Sequence, residues 1–490
     1  MKKLDQILIE ILGRITPSEE ERKKVAALSR ALEKKVAASA KKRGIEAKVR
    51  VEGSVAKDTW LKEEPDLDVF MCMPTAITRK QLAEVSLEIA REATRGARQV
   101  ERFAEHPYLE AFVDGYRVNI VPCYCTKLGH WLSATDRTPF HTNYIRKKLN
   151  KSLRNEVRLL KKFMQGIGVY GAEIKTGGFS GYLCELLVLN YRSFISTLEA
   201  FSESTERIVI DIENLYPEKG IDMKLCFTEP LVVIDPVDRG RNVAAAVKPQ
   251  KIDTFIGAAR AFHEKPSTEF FFPSRTAPFT PEALEAKFEH RVSALVFLVF
   301  KTVEVVPDVL WGQYYRTQRS LKKLLELNDF RILRDSVYSD EKMLSVFILE
   351  LEQQVIPGIK RHLGPPIKRK SECDRFLGKY SGQNNVISGP YIENGRWIVD
   401  LPRKHVDAVE LLRSALKKEG KNIGIADLVI EALGKGFTIT ANEGIAEVYR
   451  GNEGFAVFLT EFLDGKPSWL QTAETQPNQD RSHKPAIECK

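Results

Sequence analysis

The stretch GSVAKDTWLKEEPDLDVF, Gly53 to Phe70, constrains the fold of this chain more than any other. Before it, Ile45, Ala47, Val49 and Val51 alternate with Glu46, Lys48 and Arg50, the two-residue period of a half-buried strand ending at Gly53-Ser54. After it, LDVFMCM from Leu67 reads as a second strand. Asp66 and Asp68 lie two apart there, so both carboxylates project from one face and can hold a hard divalent cation jointly. The glycine lets backbone amides approach a phosphate and the serine adds a donor. The segment after them reads as a helix start, and Lys57, one turn on, reaches the same anion.

The flanking sequence supplies the rest of an α/β unit. Thr16, Pro17 and Glu19 predict an N-cap, a first-turn proline and a reciprocal capping acid for a helix running toward KKRG at Lys41. TRKQLAEVSLEIAREATRG reads as helix, and QVERFA, YLEAFV and YRVNIV as three more strands, with Asp114-Gly115 as a hairpin turn. One domain is expected over 1–145. From Asn155 the period turns helical and continues in GYLCELLVLNYRSFISTLEAF to about Phe201, with a further helix at KIDTFIGAARAFHEK. That predicts a mainly helical domain over 146–275, closed by the proline-rich FFFPSRTAPFTPEAL. The remainder mixes strands (ALVFLVFKTVE, RWIVDLP) with charged segments read as helices (DEKMLSVFILELEQQV, DAVELLRSALKKEG), an α+β region over 276–470. Residues 471–490 are polar and aperiodic and read as a loose tail. The expected fold class is a multidomain α+β protein.

Composition narrows the function classes. The chain of 490 residues is 43% hydrophobic, enough for several cores, and no apolar run approaches the roughly 18 residues of a membrane span. The N-terminus is an acid-containing amphipathic segment rather than a signal peptide, so a cytoplasmic protein with no membrane partner is expected. Seven cysteines are too few for a disulfide framework, and Cys123 and Cys125 lack a second pair at zinc-site spacing. We read them as reduced and mostly structural. The formal charge of +9 is a weak pointer to a polyanionic partner. RTQRSLKKLL from Arg316 and IKRHLGPPIKRK from Ile359 concentrate it, and each alone reads as a solvated helix face or a basic loop.

A Gly-Ser followed shortly by an acid-x-acid strand resembles the polymerase-β-like nucleotidyltransferases, whose signature adds a third acid on a neighbouring strand. More closely, GSVAKDTWLK, AEHPY, VPCY, DRTPFH, NEVRLLK, YGAE, GFSGYLCELL, DPVDRGRNVAA and ENGRW are similar, in order, to motifs of the archaeal CCA-adding enzymes, the class I tRNA nucleotidyltransferases. The resemblance implies head, neck, body and tail domains, with the nucleotidyltransferase head at 1–145. It implies addition of C, C and A to the 3' end of tRNA from CTP and ATP without a nucleic-acid template, using Mg²⁺. Asp66 and Asp68 would ligate metal. Ser54 and Lys57 would hold the triphosphate, although the family commonly has arginine at the latter position. Thr138, His141, Lys161 and Tyr170 would line the nucleotide pocket with His106 nearby, and Arg241 would contact the incoming base. The basic clusters would face tRNA phosphates, and the resemblance leaves a homodimer open.

The base contact has a physical rationale. A guanidinium only donates, cytosine N3 and adenine N1 accept, and uracil N3 and guanine N1 carry hydrogens.

One position departs from the pattern. The family's third metal-binding aspartate, two residues before VPCY, is Asn119 here. An amide offers a carbonyl oxygen to Mg²⁺ but brings no charge and cannot act as a base. Asp114, at the hairpin turn and on the opposite face by strand parity, is no replacement. The readings left open are a transferase with a weakened metal site, a tRNA-binding protein that no longer catalyses, and a transferase acting on another RNA primer.

Overall fold

The computed structural model of the chain describes residues 2–62, 65–103, 105–216, 226–418, 420 and 422–470. The segment 471–490, expected as a loose tail, lies outside them. The chain forms two compact units, Met1–Arg275 with Lys466–Lys490, and Thr276–Gly465.

The first unit opens with helices α1 (Lys2–Ile15) and α2 (Glu19–Lys42). The cap of α2 sits two residues beyond the expected one: Ser18 accepts from the Glu21 amide and Glu21 reaches back to the Ser18 amide. Thr16 and Glu19 are not that pair, because α1 runs to Ile15 and leaves Thr16 in the connection. Five strands follow, β1 (Lys48–Glu52), β2 (Leu67–Met73), β3 (Arg98–Phe103), β4 (Pro107–Val113) and β5 (Tyr116–Tyr124), in the order β1-β2-β5-β4-β3. The short α3 (Gly53–Lys57) joins β1 to β2, and α4 (Arg79–Ala93) crosses to β3. Val69, Met71, Leu109 and Ile120 cover the sheet face that packs on Val25, Leu32, Leu82 and Ile89 of α2 and α4. Alternation therefore sends Asp68 and Asn119 to the other face. Asp114 and Gly115 form the β4–β5 turn with positive φ, as their dipeptide demands.

A helical layer of α5 (Thr138–Lys148), α6 (Lys151–Gly166), α7 (Gly181–Tyr191), α8 (Phe194–Ser202) and α9 (Pro249–Glu264) follows, and α5 contacts both α3 and β1. The long helix expected to Phe201 is two: Arg192 turns left-handed at φ 72 and Ser193 caps the next helix. Phenylalanines 163, 179, 194, 201, 255, 262, 270 and 271 fill the core of this layer. The sequence pattern also hid a small sheet here, β6 (Ile208–Ile210), β7 (Leu231–Asp235) and β8 (Asp238–Asn242).

The second unit holds α10 (Pro281–Arg291), β9 (Ala294–Lys301), α11 (Pro307–Leu327), β10 (Ile332–Ser339), β11 (Leu344–Leu351) and β12 (Ile359–Pro366). After these come α12 (Lys370–Tyr380), β13 (Ser388–Glu393), β14 (Arg396–Pro402), α13 (Ala408–Lys418), α14 (Asp427–Gly434), β15 (Phe437–Ala441), α15 (Ala446–Gly451) and α16 (Glu453–Asp464). One sheet runs β10-β11-β9-β15, the other β12-β14-β13. Two expectations fail here. DEKMLSVFILELEQQV contains the central strand β11 rather than a helix, since Phe347 and Leu349 face one core and Val346 and Ile348 the other. A strand buried on both faces loses its two-residue period and reads as a helix. The basic stretch from Ile359 is likewise a strand, paired to β14, and not a loop.

Candidate active site

The acids of the sequence motif meet where β1 turns into α3. Gly53 sits at φ +68, and a Cβ there would lie 2.2 Å from Asp68 Oδ2, so only glycine lets the turn close over the carboxylate. Ser54 follows, half-buried on α3. Asp68 pairs with Asn119 in the parallel β2–β5 register, and Asn119 Nδ2 donates to Asp68 Oδ1 at 3.0 Å. Asp66, just ahead of β2, accepts Arg117 Nε at 2.7 Å on Oδ1 and Arg117 Nη2 on Oδ2. Burial pushes the Asp68 carboxyl above its ordinary range, against the Asn119 hydrogen bond, and Asp66 adds to the rise. The hydrogen bonds to Asp66 hold the Arg117 guanidinium above its ordinary value.

Asp66 and Asp68 are hard oxygen donors on one face and suit a divalent cation. The third donor is weaker than an acid, and Arg117 occupies Asp66. No three His, Cys, Asp or Glu side chains converge as a metal-holding group among the described residues. The pair fits a cation whose shell is completed by other oxygens.

The opposite wall is cationic and built on two buried acids that sequence reasoning did not single out. Glu185 of α7 is fully buried. It accepts Lys57 Nζ at 2.6 Å and Thr59 Oγ1 at 2.6 Å, and lies 3.6 Å from Lys161 Nζ. Lys161 also donates to Thr59 O at 3.1 Å. Burial alone would raise Glu185, but Lys57 and Lys161 pull its carboxyl below the usual range. Burial depresses Lys161. A Cβ on Gly181 would stand 3.0 Å from the Tyr170 hydroxyl and 3.4 Å from Lys161 Nζ, which places Tyr170 beside this group.

Asp235, at the end of β7, is the second hub. Its Oδ2 takes His141 Nε2 and Arg241 Nη1, each at 2.8 Å, and its Oδ1 takes Tyr182 Oη at 3.1 Å. His141 stacks on Tyr182 at 4.1 Å between ring centroids, and Lys57 Nζ lies 5.7 Å from the Tyr182 ring centre. Burial keeps His141 below its ordinary value despite Asp235, so it is neutral at pH 7. Burial would raise Asp235, but His141 and Arg241 bring it below the usual range. Behind both hubs, the buried Arg158 of α6 donates to Trp60 O at 3.1 Å and to Asp58 Oδ1 at 2.6 Å, fixing the loop that presents Lys57 and Thr59. Its guanidinium is lowered to about 10 by burial.

The fold thus gathers Lys57, Lys161, Tyr170, His141 and Arg241 into one wall. Thr138 begins α5, one turn before His141. His106 is not brought in: it packs edge-on to Tyr124, 6.4 Å between ring centroids, with Nε2 buried and without a hydrogen-bond partner among the described residues. Tyr124 lies five residues past Asn119, about 17 Å along the strand. Glu185 carried a readable sign, a lone acid inside the apolar GYLCELLVLNY. Asp235 closes a wholly buried strand, LVVID.

A glycine turn closing over an Asp-x-Asp strand, faced by buried lysines, defines a nucleotidyltransferase, and residues 33–144 match the family described as nucleotidyltransferase domain. Residues 155–272 match "tRNA nucleotidyltransferase, second domain", and residues 291–442 match "CCA-adding enzyme, C-terminal domain". A CCA-adding enzyme of Methanosarcina barkeri is 38% identical over 462 residues, covering 94% of this chain and 98% of that one. Those of Methanoregula boonei and Pyrobaculum islandicum are 36% and 37% identical, over 96% and 87% of this chain and 97% and 96% of theirs. The chain belongs to the CCA-adding enzyme family and is a tRNA nucleotidyltransferase.

Proposed function

We propose that this chain adds C, C and A to the 3' end of tRNA from CTP and ATP, at a rate lowered by Asn119. The carrying observation is the wall of three cations, Lys57, Lys161 and Arg241, with the neutral His141 beside them, set around Glu185 and Asp235. In each addition the terminal 3'-oxygen bonds to the α-phosphorus, the bond from that phosphorus to the bridging oxygen breaks, pyrophosphate leaves, and the hydroxyl proton passes to solvent. Ser54 and Lys57 hold the triphosphate, with Lys161 and Tyr170 behind it. Lys57 and Lys161 share the buried Glu185 carboxylate, which accepts Lys57 Nζ and lies 3.6 Å from Lys161 Nζ. Arg241, held in place by Asp235, presents N–H donors to the base, which favours C and A over U and G. Asp66 and Asp68 hold Mg²⁺, which when bound offsets the charge of attacking and leaving oxygens. Asn119 orients Asp68 but accepts no proton and adds no charge.

The test is incubation with tRNA, Mg²⁺ and each labelled NTP in turn. Incorporation of C and A alone supports the reading. Binding of tRNA without incorporation favours the non-catalytic alternative, toward which the Arg117–Asp66 ion pair points. Incorporation into RNA other than tRNA favours another primer.

A further inference from the structure

Asn119 has a carboxylate beside it. In the antiparallel β4–β5 register Asn119 pairs with Glu110, and in the parallel β2–β5 register it pairs with Asp68. Directly paired residues share a sheet face, so Asp68, Asn119 and Glu110 form one row across three strands spaced about 4.8 Å apart. Glu110 is 6% exposed. Arg102 contacts it through Nε at 3.2 Å and Nη2 at 2.8 Å, both on Oε1, and Oε2 accepts no hydrogen bond from the described residues. The row continues on the far side with Glu52, paired to Asp68 and fully buried, neither of whose oxygens has a hydrogen-bond partner among the described residues. Arg50 Nε lies 3.2 Å from one of them.

Arg117 is the present counter-ion of Asp66, two residues before the row's Asp68. It is bound to Asp66 through both oxygens, and Asp68 and Glu110 add to the field that stabilises its charge. A guanidinium held on Asp66, in the field of Asp68 and Glu110, meets the electrostatic demand that a divalent cation would meet, and its long exposed stem leaves it free to turn toward solvent.

We infer that Glu110 supplies the third carboxylate that Asn119 lacks, reaching the cation held by Asp66 and Asp68 when Arg117 swings off Asp66. A glutamate on the next strand is one methylene longer than an aspartate, which offsets part of the extra distance from Asp68. The inference rests on the transferase reading for its purpose, but not for its test.

Mn²⁺ is titrated into the full chain without nucleotide, following the electron paramagnetic resonance signal of the free ion. Glu110→Gln is expected to weaken binding about tenfold, and Glu110→Asp, which keeps the charge and shortens the reach, to weaken it similarly. Arg102→Ala, which removes the ion pair and keeps the carboxylate, should bind as the parent does or tighter. Asn119→Asp added to Glu110→Gln should return affinity to within about threefold of the parent. Unchanged Mn²⁺ affinity in a folded Glu110→Gln protein, or equal weakening by Arg102→Ala, overturns the assignment. A parent that extends no tRNA while the Glu110→Gln shift persists overturns CCA addition and leaves Glu110 as a ligand.

Discussion

Asn119 donates its side-chain amide to Asp68 Oδ1 at 3.0 Å, across a directly paired position of two parallel strands. An aspartate there would face Asp68 as a second anion and draw a cation between them. On the proposed function the nucleotide would bring its own oxygens to a metal, so its binding should survive the amide better than the chemical step. Asn119→Asp is therefore expected to raise single-turnover extension of a tRNA lacking its last adenosine by about 10², or about 3 kcal/mol of transition-state stabilisation, with ATP affinity little changed. Equal rates at saturating ATP would remove Asn119 from the reacting centre.

Arg241 is tied to a fully buried Asp235, which also holds His141 and Tyr182. Arg241→Ala should raise UTP and GTP misincorporation relative to CTP and ATP while urea unfolding stays near the parent's, since the guanidinium is partly exposed. Asp235→Asn should raise misincorporation too, through a loosened Arg241. Unaltered base selection in a still active Arg241→Ala protein would assign the base to another group.

Glu185 carries more of the structure. Its fully buried carboxylate satisfies Lys57, Thr59 and Lys161 together. Glu185→Gln leaves two buried ammonium groups without an anion, a defect of about 3–5 kcal/mol. The urea midpoint of the first unit should drop accordingly, and Lys161→Met in the same background should recover part of the loss. An unshifted midpoint would mean that water already compensates these charges.

How far the site could be read from the chain depends on what kind of order holds each residue. Asp66, Asp68 and the Gly53 turn obey a local rule, two-residue alternation around a tight turn, and the strand and turn stand where that rule puts them. Glu185 and Asp235 obey a long-range one. Their partners lie 128 and 94 residues away, in Lys57 and His141, and nothing near either acid announces them. The same limit explains β11, whose two-sided burial erased its period, and Glu110, which matters only because β4 pairs with β5. Ser18 in place of Thr16 as the cap of α2 is a smaller failure, decided by where α1 stops.

Acid should weaken the first unit in two stages. Burial holds His141 below its ordinary value, so the unfolded chain binds the proton first, and this contribution is complete above about pH 6.5 and lost as pH falls below it. Glu185 is depressed by its lysines, so its contribution is complete above about pH 4.5 and lost as pH falls through the folded value. His141→Gln should flatten the dependence of the urea midpoint just below about pH 6.5, where the unfolded chain alone takes up the proton, and leave the lower stage in place. A parent midpoint independent of pH across both windows would contradict the neutral, buried His141.

The exposed cations of the second unit are expected to form an electrostatic surface for tRNA. On α11, Arg316, Arg319 and Lys323 are exposed at helical spacing along one face, while Tyr314, Thr317 and Leu321 bury the other. Lys322, beside them, is already paired with Asp335 at 3.3 Å. After β12, Lys368 and Lys370 are exposed, whereas Lys360, Arg361 and Arg369 face Asp329, Glu393 and Glu372. The cations without an ion pair among the described residues, not the stretch as a whole, should bind phosphate. Each contact releases counterions and adds about 0.7 to 0.9 to the slope of log affinity against log salt. Reversing Arg316, Arg319 and Lys323 to glutamate should therefore reduce that slope by about two to three and weaken tRNA binding most at low salt, with nucleotide affinity unchanged. Lys322→Glu alone should change it little, because its charge is already met. An unaltered slope in the triple variant would place the tRNA on another face of the chain.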